Sequence, residues 1–180
     1  MGILDRFGWG DRKAEAPAVS SADTETVRKI SAALDRLDPD RARHIAAFAF
    51  ILSRVARADL EISAEEVLEM ERIVQEKGGI PEEQAVMVVQ MAKTQNILFG
   101  GVENFLVTRE FEKIATHEQK IALLHCLFAV SAVDRSISSV EDTTIRKIAS
   151  ELKLEHSDFI EVKIAYVDRL AARRGRNVAQ

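Results

Sequence analysis

The sequence predicts an all-α fold, a single helical bundle of seven to eight helices, and three observations predict it. Apolar residues recur at steps of three and four along most of the chain, and no segment sustains the two-residue alternation of a strand. Helix breakers are scarce, with 8 Gly and 3 Pro in 180 residues, while Ala, Glu, Ile, Val, Leu and Arg are abundant and most of these favour helices. One stretch also repeats itself at a constant offset, as a duplicated helix–loop–helix unit would.

Residues 1–22 read as a flexible lead-in, interrupted by Gly8, Gly10 and Pro17 and closed by Ser20, Ser21 and Ala22. Helical spacing starts at Asp23, with Val27, Ile30 and Leu34 on one face of a first helix ending near Leu37. Asp38-Pro39 stops that helix and starts the next, because proline fits the first helical position and aspartate caps it. In the second helix, running to about Ala58, Ile45, Phe48, Leu52 and Val55 make one buried stripe. Ser63 with Glu66 forms a capping box for a third helix, in which the hydroxyl takes an orphan N–H and the carboxylate reaches back to the cap. Gly78-Gly79 ends it, and Pro81-Glu82-Glu83 opens a fourth.

Gly100-Gly101 breaks the chain again, and a fifth helix covers 102–114. Thr116 with Gln119 caps a sixth, apolar nearly all round and therefore expected at the centre. Ser138 with Glu141 caps a seventh. Ser157 is expected to cap the last, in which Phe159, Val162, Tyr166 and Leu170 share a face. The domain organisation that results is a flexible segment over 1–22, a helical domain over 23–174 and a tail over 175–180.

The repeat is the most informative feature. Residues 52–76 align without gaps on 127–151, at a constant offset of 75. Leu52 matches Leu127, Val55 matches Val130, Asp59 matches Asp134, and Ile62-Ser63 matches Ile137-Ser138. Glu66, Ile73 and Glu76 match Glu141, Ile148 and Glu151. Two copies are too few for a solenoid, so a bundle in which they pack together is expected.

These residues carry a resemblance. Val55-Ala56-Arg57-Ala58-Asp59-Leu60-Glu61-Ile62-Ser63 resembles the repeated Ala-Asp-Gly-x-Ile signature of the tellurite-resistance TerB-like family, and Ala132-Val133-Asp134-Arg135-Ser136-Ile137-Ser138 resembles its second copy. Leu154-Glu155-His156-Ser157-Asp158-Phe159 is similar to the family's closing segment, so the resemblance covers about 40–170. It implies an all-helical fold and a link to resistance against tellurite and other stresses, with metal binding as one proposed activity. The chain departs from the pattern where Leu60 and Arg135 replace the usual glycine and Ser136 stands opposite Glu61. Those departures weaken any ligand site built on a tight glycine turn.

Composition narrows the function classes. A net charge of −4 provides no global basic field, so no nucleic-acid partner is expected. The single cysteine, Cys126, excludes an intrachain disulfide and a multi-thiolate zinc site and fits a cytoplasmic location. Met1-Gly2-Ile3-Leu4-Asp5-Arg6-Phe7 lacks the apolar core of a secretory signal, and the near-apolar run over 121–133 is too short to span a bilayer. Ile3, Leu4, Phe7 and Trp9 have the composition of a peripheral membrane contact, against the simpler reading of a tail.

Asp59, Glu61, Glu66, Asp134 and Glu141 are hard oxygen donors, the type that would hold a divalent cation such as calcium or magnesium. A true calcium loop ending at Glu66 is excluded by residue type, because Val55, Arg57 and Leu60 would occupy two ligand positions and the central glycine. The simpler reading is that Asp59 and Asp134 accept turn N–H groups. His44, His117, His125 and His156 have no metal-ligand spacing. Consecutive His125 and Cys126 point about 100° apart on a helix, so they form no nucleophile–base pair. No constellation supports an enzyme.

Charge is uneven. Residues 59–76 hold seven acidic residues and one basic, a balance of −6, and 163–176 hold five basic and one acidic, a balance of +4. The apolar run Ile97-Leu98-Phe99-Gly100-Gly101 falls where a loop is expected. The expectation is a non-enzymatic, stress-associated module that binds a partner protein through its charged faces. The alternative is a divalent-metal binder or sensor using the acidic residues of the two repeat loops.

Overall fold

The computed structural model describes residues 21–56, 64–94, 104–133 and 136–178, with side chains described except at 21–24, 26–27, 65–66, 104 and 168–178. These residues form eight helices and, among them, no strand: α1 (Ser21–Leu34), α2 (Pro39–Ala56), α3 (Ala64–Gly78), α4 (Glu82–Lys93), α5 (Asn104–Ile114), α6 (His117–Ser131), α7 (Ser139–Glu151) and α8 (His156–Val178). The expected all-α bundle is what the chain forms.

Most helix ends are set by the residues expected. Asp38 Oδ1 accepts the N–H groups of Asp40 and Arg41 at 3.0 and 3.3 Å, so its carboxylate caps α2. Both described capping boxes are complete. Thr116 and Gln119 exchange their bonds at 3.3 and 2.8 Å, and Ser138 and Glu141 at 3.2 and 2.7 Å. Gly79 adopts φ +60 beyond α3, the left-handed exit that glycine tolerates. Gly78 is needed for another reason, since an added Cβ would lie 3.2 Å from Phe48 Cζ and 3.4 Å from Cys126 Sγ. The end of α3 thus closes directly onto α2 and α6.

Ser157 is not the cap of α8. It lies inside the first turn, and Asp158 Oδ2 instead accepts the Glu155 N–H at 3.0 Å, the reaching-back half of a capping box. The α7 exit is also unlike its counterpart. Lys153 takes φ 56, and Leu154 N–H donates to Ala149 O at 3.0 Å, closing a Schellman turn without glycine.

A second difference concerns the centre. α2 is buried over ten consecutive residues, from His44 to Ser53, without interruption. The single stripe expected for it is therefore too narrow. Ala46, Ala47 and Ala49 present little volume, which lets neighbours approach on every side, while Phe48 and Phe50 fill the space between them. α6 is central on one side only: Leu123, Leu124, Cys126, Leu127 and Phe128 are buried, but Ile121, His125, Ala129 and Val130 are half-buried.

The two copies of the repeat correspond to α2 with α3 and α6 with α7. The first helix of each packs on the second helix of the other, α2 on α7 and α6 on α3, and α2 also touches α6. Leu52 and Leu127 are both fully buried, as are the matched Ile73 and Ile148 to within 5%. α4 and α5 flank α2, α1 lies on α4, and α8 packs on α6 through Phe159, Val162 and Tyr166. One continuous apolar core runs through all eight helices.

Candidate functional site

Of the five predicted metal ligands, Asp59, Glu61 and Asp134 lie outside the described residues, as do the apolar run 97–101 and the segment with Ile3 and Trp9. Glu66 stands in the first turn of α3, with its side chain outside the description. Glu141 is described, and its carboxylate accepts the Ser138 N–H at 2.7 Å. The cap therefore engages one of its oxygens, and a cation there would have to share or displace that bond. Among the described residues no three His, Cys, Asp or Glu side chains assemble into a metal-sized group.

The strongest polar constellation was not visible in the sequence. Arg54, on α2, donates from Nη1 to Glu151 Oε2 at 2.6 Å and from Nη2 to Oε1 at 3.3 Å. The same Nη1 donates to the buried Thr108 hydroxyl at 2.6 Å. The two charged side chains are 6% and 8% exposed, so this fork joins α2, α5 and α7 inside the fold. Its counterpart in the first copy is absent. Glu76 matches Glu151 but is half exposed and pairs with Arg72 on its own helix, and Ala129 stands where a matching Arg54 would be. The only available signal was Glu151 falling on a repeat position, which does not disclose a partner 97 residues away.

Two further charge clusters tie helices at the surface. Glu112 on α5 receives Lys120 and Lys153, each at 3.3 Å, and these bonds hold its carboxyl below the ordinary glutamate range, Lys120 most strongly. Asp142 on α7 pairs with Lys163 on α8 at 2.6 Å, and Arg146 lies 4.9 Å over the Phe159 ring.

The histidines and the thiol sit in different settings. Cys126 is fully buried, its Sγ 3.7 Å from Ile73 O, and burial pushes its pKa up to about 12. A thiol held protonated in this way is a core group. His44 is wedged between Phe48 and Phe111, and burial, with the nearby Arg41 charge, lowers its pKa to about 4. His125 faces Tyr166, with 3.4 Å between Nδ1 and the hydroxyl.

Exposed large apolar side chains among the described residues include Val86, Phe105, Leu106 and Val140, as well as residues on α3 and α8. On α3, Leu68, Arg72 and Gln75 follow one another at steps of four and three along the exposed ridge, and Leu68 is 66% exposed. Glu69 and Glu76 both bind Arg72 at 2.6 Å on one side of that ridge, and Glu71 lies on the other. On α8, Ile164 and Val167 are exposed just before the arginine-rich run. Among the described residues, no helix is long and apolar enough to cross a membrane.

Comparison with curated proteins and with solved structures finds no significant match. The family model described as tellurite resistance protein TerB matches residues 44–164, well over half of the chain and the stretch that contains both copies of the repeat. The duplicated hairpin, its two-by-two packing and that match agree, and the chain belongs to the TerB tellurite-resistance family.

Proposed function

We propose that this tellurite-resistance-type domain is a non-enzymatic, stress-associated module that binds a partner protein through its charged helix faces. The observation that carries the reading is the outward ridge of α3. A two-thirds exposed Leu68 stands there among carboxylates, and a large apolar side chain ringed by charge is the usual make-up of a small docking surface. The core supports the same reading from the other side. α3 packs on α4 and α6, so its outward ridge is carried on the shared apolar core.

The test is affinity capture from stressed cells with the full chain as bait, at low and high salt, beside a Leu68→Ser/Glu69→Gln variant. Partners retained at low salt and lost in the variant support the reading, and an unchanged set of partners contradicts it. Calorimetric titration with calcium, magnesium, manganese and zinc separates it from the divalent-cation alternative. Saturable micromolar binding abolished by Asp59→Asn/Asp134→Asn would favour the cation instead.

A further inference from the structure

His44 is a buried titratable group that the charged faces do not use. It lies at the joint between α2 and α5. Its ring stands 5.0 Å from that of Phe111 on α5 and 6.2 Å from that of Phe48 on α2, and those two rings meet edge to face at 6.2 Å. A neutral imidazole packs among such rings, whereas an imidazolium there is stripped of its water. The helices around it carry Asp40, Arg41 and Arg43 on α2, Glu82 and Glu83 on α4, Glu110, Glu112 and Lys113 on α5, Lys120 on α6 and Glu151 on α7. Among these, Arg41 bears on the ring, and it is a like charge, held to Gln84 Oε1 on α4 at 2.7 Å. Arg43 pairs with Asp40, Lys113 with Glu110, Lys120 with Glu112 and Glu151 with Arg54.

Of the two helices that clasp the ring, α5 is the one able to leave. α2 is buried through its middle, but the described side chains of α5 include only three buried ones, Val107, Thr108 and Phe111. Ten residues separate α5 from α4, and two join it to α6. Its contact with the buried fork is the Thr108 hydroxyl, which accepts from Arg54 Nη1. Arg54 keeps both Glu151 oxygens when that hydroxyl departs, so lifting α5 strands no buried charge. Phe105 and Leu106 at its start are already half exposed.

We propose that His44 is an acid-sensitive latch, whose protonation opens the α2–α5 joint and lets α5 swing away on its short link to α6 while the rest of the bundle stays folded. Opening hydrates the ring and uncovers Phe48, Val107 and Phe111, an apolar surface that adjoins Phe105 and Leu106. The closed joint holds the imidazole at a pKa of about 4, below the 6.5 of a hydrated one. Closure is therefore at full strength above pH 6.5 and weakens about tenfold per pH unit from there towards 4. The second acid-sensitive hold on α5 acts lower. Glu112 is kept below its ordinary value of 4.5 by Lys120 and Lys153, so those bonds are present above 4.5 and lost beneath it. The interval between pH 6.5 and 4.5 thus separates the latch from the bridge.

Native-state amide hydrogen exchange on the full chain tests this, from pH 7.5 to pH 5 and at several low urea concentrations, after correction for the intrinsic pH dependence of exchange. The α5 amides are expected to exchange through an opening that is easier, and less sensitive to urea, than the one that exposes the α6 amides. That opening is expected to become about 25-fold more populated between pH 7.5 and pH 5. In His44→Phe, which keeps a ring between Phe48 and Phe111, it should stay within about threefold across the same range. His44→Leu repeats the comparison with an aliphatic side chain, so a packing fault in one variant does not decide the result. α5 amides that exchange only with the whole bundle, at the opening energy and urea dependence of α6, overturn the proposal. So does an α5 opening whose pH dependence survives in both variants. The charged-face reading is untouched by either result, because neither variant alters α3.

Discussion

At the scale of single residues, two side chains sit in settings that carry measurable energies. Lys153 holds φ 56 at the exit of α7, a conformation that costs a non-glycine residue about 1 kcal/mol. Its ion pair with Glu112 offsets little, since the lysine side chain is 75% exposed. Lys153→Gly is therefore expected to stabilise the protein by roughly 0.5–1 kcal/mol in chemical denaturation, and a destabilised variant would show that the Glu112 bridge matters more. His44 is only 8% exposed, and its folded pKa of about 4 lies below the ordinary value of 6.5. The neutral form is the one the fold accommodates. The stability it contributes is fully present above pH 6.5 and is lost as pH falls from there towards 4, at up to about 1.4 kcal/mol per pH unit. His44→Phe is expected to flatten the stability profile between pH 6.5 and 5, and an equally steep profile in that variant would assign the loss to other groups.

At the scale of elements, what the sequence made legible were the features written locally. Thr116 with Gln119, Ser138 with Glu141 and Asp38 before Pro39 all cap the helices they were expected to cap, because a cap involves residues within one turn of each other. Ser157 misled because the helix already starts at His156, so Ser157 falls inside its first turn while Asp158 reaches back to the Glu155 N–H. The full burial of α2 was hidden for a different reason. Alanine marks no stripe in an apolar pattern, and whether Ala46, Ala47 and Ala49 face neighbours or solvent depends on elements far along the chain. The Arg54–Glu151 fork is the same kind of long-range fact, spanning 97 residues. Removing one partner should strand a buried charge. Arg54→Met or Glu151→Met alone is thus expected to cost about 3–5 kcal/mol, with the Arg54→Met/Glu151→Met double variant milder than the sum. Strictly additive losses in chemical denaturation would mean the two charges do not act as a pair.

At the scale of the whole molecule, the duplication organises the core, and departures from it distinguish the two copies. Leu52 with Leu127 and Ile73 with Ile148 keep equivalent buried places, whereas Glu76 stays at the surface with Arg72 and Glu151 goes inside with Arg54. The fold was legible because repetition and helical spacing are properties of the sequence itself. The candidate site was less so. Of its acidic residues only Glu141 has a described side chain, and that side chain serves a helix cap. The faces that carry the functional reading, by contrast, were legible as runs of charge, while the exposure of Leu68 within one of them depends on how α3 packs on α4 and α6.

The central claim is that function resides in the α3 face and not in the core that holds it. The most direct measurement is tellurite tolerance of cells in which a Leu68→Ser/Glu69→Gln/Glu71→Gln variant replaces the wild-type protein, alongside the thermal midpoint of the purified variant. Tolerance is expected to be lost while the midpoint stays within about 2 °C of the wild type, as surface substitutions allow. Full tolerance with the face removed would contradict the account.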